Sequence, residues 1–171
     1  MATTRSKLLK TAASCVVVAA AGCAQGTAPV PSVSPRSSAS ERVSLRDLGA
    51  RYLAIAEPAN HRLDVEVDAY ADNARHNLAA AQNALRAEAA TERTFDRQLA
   101  TIPFPPAIEV TAHALIRVNE IRARLTLKQA AARSIPALLS FTAAHNGANA
   151  ELEAQVRVIR SELGLPPPAT S

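Results

Sequence analysis

The sequence predicts an all-α protein, an antiparallel four-helix up-down bundle after a disordered N-terminal tether. Three observations carry this. Residues 42–164 are dense in Ala, Leu, Arg, Glu and Gln, with glycine confined to Gly49, Gly147 and Gly164, a composition that favours helix. Apolar residues recur there at steps of three and four, and strand-type alternation is absent. Serine and proline fall between the periodic runs, where helices start and stop.

The first helix is expected from Ser44 to about Ala71, with Ser44 as N-cap and Asp47 in the capping-box position. Its core stripe reads Leu45, Leu48, Tyr52, Ile55, Ala59, Leu63, Val67, Tyr70 and Ala74. Pro58 sits inside it and should kink or split it near Glu57, because proline lacks the N–H of the helical ladder. The second helix is expected from Asn77 to Thr101, along Leu78, Ala81, Leu85, Ala89, Phe95 and Leu99. Pro103, Pro105 and Pro106 end it and open the third, which runs to about Ala131 along Ile108, Ala112, Leu115, Val118 and Leu125. The fourth is expected from Ile135 to Leu163, with Ser134 as cap, Pro136 in its first turn and Gly164 as its stop. Its stripe is Leu138, Thr142, His145, Asn149, Leu152, Val156, Ile159 and Leu163. Four helices of about 25 residues would each be roughly 38 Å long. Short connections between such helices favour antiparallel neighbours.

Two segments precede this domain. In residues 1–22, Arg5, Lys7 and Lys10 lead into an apolar run of small residues around Val16, Val17 and Val18. The run is about 12 residues, where a spanning helix needs about 20, so it reads as a secretory signal. Residues 23–41 are mostly Pro, Ser, Ala and Thr without apolar period, which predicts a disordered tether. Residues 165–171, with Pro166, Pro167 and Pro168, read as a frayed tail.

The charge belongs largely to the leader. The chain carries 19 Lys+Arg against 15 Asp+Glu, a net +4. Without Arg5, Lys7 and Lys10 the remainder stands at +1, which removes the main argument for nucleic acid as a partner. Aromatic residues are only 3% of the chain, too few for a base-stacking platform. Beyond Cys23 there is no cysteine, hence no disulfide, thiolate zinc site or cysteine nucleophile. No Gly-x-Ser-x-Gly elbow, phosphate loop or dinucleotide fingerprint is present. No catalytic residue, metal or cofactor is assigned, and the expectation is a protein that is not an enzyme.

Two groups of polar residues stand out as candidate sites. Glu57, His61, Asp64, Asp68 and Asp72 share one face of the first helix. That face lies opposite Tyr52, Ile55, Leu63 and Tyr70, so it reads as a solvated acidic stripe rather than a metal site. No histidine has a glutamate three residues before it, so the inward Glu-x-x-His pairs of di-iron bundles are missing. The second group interrupts the apolar seams. Folding the helices back on one another brings Glu88, Asn119 and His145 to similar heights, with Arg122 and Asn149 beside them and Glu92 flanking. This predicts a mid-bundle polar layer with Arg122 paired to a glutamate, either a structural network or a small-ligand pocket.

The leader ends Ala20-Ala21-Gly22-Cys23. This resembles the lipobox of bacterial lipoproteins, with Ala20 where an aliphatic Leu is usual. The resemblance implies that the Cys23 thiol receives a diacylglycerol and that the chain is cut before it. The product would be held by its acyl chains on the outer face of the cell membrane; the alternative is a freely secreted product. In the domain, Tyr52-Leu53-Ala54-Ile55-Ala56-Glu57-Pro58-Ala59-Asn60, Phe104-Pro105-Pro106, and Val156-Arg157-Val158-Ile159-Arg160 with Leu163-Gly164-Leu165-Pro166 resemble uncharacterised exported helical proteins of high-GC Gram-positive bacteria. That resemblance implies no activity. The expected function is a binding or interaction module of the cell envelope, whose partner is an envelope protein or a small ligand.

Overall fold

The computed structural model describes residues 44–168. The leader, Cys23 and the Pro/Ser tether lie outside the described residues. Four long helices and one single-turn helix follow in order: α1 (Leu45–Asn73), α2 (Leu78–Leu99), α3 (Pro106–Ala130), α4 (Ile135–Leu139) and α5 (Thr142–Glu162). Among the described residues there is no strand. The all-α bundle is therefore the fold.

Local chemistry sets the helix starts. The Asp47 N–H donates to Ser44 Oγ at 3.1 Å while that hydroxyl donates to Asp47 Oδ2 at 2.8 Å, using one of the donors a helix N-terminus leaves over. Asn77 and Ser134 cap α2 and α4 in the same way, at 3.1 and 3.3 Å. Pro106 opens α3, where a missing N–H is harmless. At the far end Gly164 takes φ 66°, a conformation that costs a residue with a Cβ.

Three expectations need correction. Pro58 does not split α1, which runs unbroken from Leu45 to Asn73. Ala54 and Pro58 are both exposed, so the Ala54 carbonyl that loses its donor faces water. The expected fourth helix is two, α4 and α5. Ser140 Oγ donates to the Ala137 carbonyl at 2.7 Å and Thr142 Oγ1 to that of Leu139 at 3.0 Å. These hydroxyls take up carbonyls at the end of α4 and end the turn there, leaving Thr142 exposed rather than on the core stripe. Third, the domain does not stop at Gly164. The buried Arg160 donates from Nε to the Pro166 carbonyl at 2.7 Å, and Leu165 Cδ2 lies where a Cβ on Gly49 would meet it at 3.2 Å.

Backbone packing follows chain order: α1 on α2, α2 on α3, α3 on α5 and on α4. Leu163 and Leu165 bring the end of α5 back to the start of α1. The apolar core is divided in two. One cluster joins Leu48 and Tyr52 of α1, Leu99 of α2, Ile108 and Leu115 of α3, and Leu152, Val156 and Ile159 of α5. Tyr52 meets Phe95 edge-on at 6.3 Å between ring centres. The other joins Tyr70, Ala81, Leu85, Ala130 and Leu138 at the opposite end. Each large side chain so buried contributes roughly 1.5–3 kcal/mol. The polar layer lies between them.

Candidate functional site: a polar layer in mid-bundle

Glu88, Glu92 and Asp96 follow one another along α2 at single-turn spacing, and all three are buried. At four-residue steps their side chains stack on one face. α3 presents Asn119 and Arg122 to them. Arg122 is the hub: one terminal nitrogen donates to Glu88 Oε1 at 2.6 Å, the other is ion-paired with Glu92, and Nε donates to Asn149 Oδ1 on α5 at 2.7 Å. Only 12% of the Arg122 side chain is exposed, and none of that of Glu88. Three elements are thus tied by one guanidinium, whose planar fork suits it to several acceptors at once. Burial makes the pairs strong and makes breaking them costly.

Asn119 does not join this hub. Its Nδ2 donates to Asp96 Oδ1 at 2.8 Å and to the Glu92 carbonyl at 3.3 Å, one turn nearer the first cluster. Burial pushes Asp96 up to about 6, against the lowering effect of the Asn119 bond. His145 is buried on α5, one turn before Asn149. Of the five residues expected in the layer, the fold joins Glu88, Arg122 and Asn149 directly, and sets Asn119 and His145 in the adjoining turns.

The layer has further members that sequence reasoning missed. Glu66 on α1 accepts from Thr91 Oγ1 at 2.7 Å, and its pKa is raised by burial first and by the nearby Glu88 carboxylate as well. Asn60 of α1 and Thr126 of α3 are buried beside the layer's helices. Gln129 Nε2 donates to Tyr70 Oη at 2.8 Å and to the Leu138 carbonyl at 2.9 Å, joining α1, α3 and α4. A signal existed for Asp96, which continues the four-residue step begun by Glu88 and Glu92. Glu66 carried none, because its neighbours Asp64 and Asp68 belong to the outer stripe.

That outer stripe is solvated: Glu57, His61, Asp68 and Asp72 are exposed and Asp64 is half-buried. Among the described residues no three His, Cys, Asp or Glu side chains are grouped to hold a metal ion. A shallow open groove of about 450 Å³ runs beside Ala154, Arg157, Val158, Ser161 and Glu162 of α5.

Comparison with family models, curated proteins and solved structures finds no match to this chain. The layer's own chemistry is what remains. One guanidinium bound to two glutamates and an amide orients helices firmly.

Proposed function

We propose that this chain is a membrane-anchored extracytoplasmic lipoprotein whose helical bundle is a non-enzymatic binding or interaction module of the cell envelope. The observation that carries the reading is the leader: a basic start, a short apolar run, then Ala21-Gly22-Cys23. A thioether-linked diacylglycerol there supplies two chains, and each buried CH₂ contributes roughly 0.8 kcal/mol to anchoring. The domain is compatible with that arrangement. Among the described residues no helix is long and apolar enough to cross a membrane.

Metabolic labelling with a radioactive fatty acid, with intact-mass analysis, tests the anchor. Wild type should carry label and lack residues 1–22, and Cys23→Ala should carry none. Unlabelled wild type that retains Met1 would overturn the reading.

One observation favours a second reading, a ligand-sensing bundle. The layer reaches the surface at Asn149 and at the edge of Arg122, both only partly buried. Replacing His145 with Leu discriminates between the two. Greater stability with unchanged ligand response supports the structural role, and loss of a measured ligand response supports the sensor.

A further inference from the structure

The middle of α1 is held differently from its ends. Its buried residues are Leu48, Gly49, Tyr52, Ala56, Ala59 and Asn60 near one end and Tyr70 near the other. Between Asn60 and Tyr70 no residue of α1 is fully buried; Leu63 and Val67, on the core stripe, are half-exposed. The polar tie in this stretch runs from Thr91 Oγ1 to Glu66 Oε1 at 2.7 Å. The other Glu66 oxygen, Oε2, is buried without a donor among the described residues, and so is Oε2 of Glu92. A buried carboxylate oxygen without a donor is expensive as an anion and much less so as a neutral acid.

The charge balance points the same way. Glu66, Glu88, Glu92 and Asp96 face the layer, and Arg122 is the guanidinium that reaches into it. The surrounding groups can be followed element by element. Glu66 is faced by Thr91 and Glu88 of α2, with Arg62 on its own helix. Asp96 is faced by Asn119 and Glu120 of α3, with Arg93 and Arg97 on its own helix. From α5 come His145 and Asn149.

We propose that Glu66 is a proton-operated latch: a proton on its buried carboxyl holds the centre of α1 against α2 in mildly acid surroundings, and its loss lets the centre of α1 lift from α2. Burial raises the Glu66 carboxyl above its ordinary range. An acid whose folded pKa lies above its unfolded value binds more protons when folded, so stability falls as pH rises between the two values. For Glu66 that window opens above its ordinary 4.5. Opening would uncover Glu88, whose carboxylate acts on Glu66, and with it the hub that Glu88 shares with Arg122. The latch does not depend on the lipid anchor.

Hydrogen exchange on the full chain, read for residues 61–69 and corrected for intrinsic rate, tests it. Opening there should be several-fold greater near pH 7.5 than near pH 5, with about a tenfold change for each pKa unit that separates the closed and open forms. Glu66→Gln is near-isosteric and should remove most of this difference and slow exchange at the higher pH. His145→Gln should leave it in place. Protection in residues 61–69 that is unchanged between the two pH values, or that rises with pH, overturns the latch. So does a pH difference that survives in Glu66→Gln or vanishes in His145→Gln. Should Glu66→Gln not fold, the wild-type comparison decides alone.

Discussion

Arg122 ties α2, α3 and α5 together through three polar partners. It binds Glu88, Glu92 and Asn149 from a position 12% exposed. Replacing it with Met would roughly keep the volume and strand two buried carboxylates, so Arg122→Met should cost about 3–5 kcal/mol, read as a lower urea midpoint at neutral pH. The triple change Glu88→Gln, Glu92→Gln, Arg122→Met removes the charges together and should cost less than Arg122→Met alone. A triple variant that is the weaker of the two would mean that the guanidinium's worth is net attraction rather than relief of the carboxylates. This hub is legible in the sequence because Arg122 and Glu88 both interrupt apolar seams. Height along the bundle groups Asn119 with the same cluster, yet its amide belongs to Asp96. That one-turn difference depends on side-chain direction rather than residue height.

Helix ends are the most readable elements, since Ser44, Asn77 and Ser134 each bond the backbone N–H three residues on. Breaks inside periodic runs are not. The missing N–H of Pro58 suggests a split; what decides is that Ala54 and Pro58 face solvent. It follows that Pro58→Ala restores a ladder bond at an exposed site. Helix propensity favours Ala by about 3 kcal/mol, offset by the looser unfolded chain, so thermal unfolding should report a net gain of about 1–2 kcal/mol. A loss would show that Pro58 shapes α1 in a way the packing needs. The gap between α4 and α5 is hidden for the opposite reason. Ser140 and Thr142 look innocuous in a helical run, and only their bonds to the Ala137 and Leu139 carbonyls end α4.

At the scale of the molecule, two sets of carboxyls pull stability in opposite directions with pH. Glu120 is held at about 2 by hydrogen bonds from Arg93 and then Arg124, so its contribution is present above its ordinary value of 4.5 and fades as pH falls toward 2. Glu66 and Asp96 act on the other side, losing stability as pH rises. By the balance of these two sets, thermal midpoints should peak at about pH 4, where the gain from Glu120, which tails off above 4.5, is overtaken by the loss from Asp96, which begins near 3.8. Glu120→Gln should flatten the acid limb and, because the Glu120 carboxylate also raises Asp96, move the alkaline limb to slightly lower pH. A midpoint that climbs steadily to neutral pH would mean other groups dominate. The all-helical architecture is plain from three-and-four periodicity. The separation of the core into two apolar clusters is not, because the residues between them are polar side chains whose partners lie on other helices.

Ser44 and Leu165 both sit at one end of the bundle, since Leu165 packs against Gly49 in the second turn of α1. The described residues therefore begin and end at the same pole. The far pole stands roughly 38 Å away for helices of this length. The far pole carries the α1–α2 turn at Arg75 and His76, both exposed, and α4 with its partly bared Leu139. Under the proposed anchoring before Ser44, α4 would face away from the anchor like the tip of a probe, with the docked Arg160 and Pro166 at the near pole.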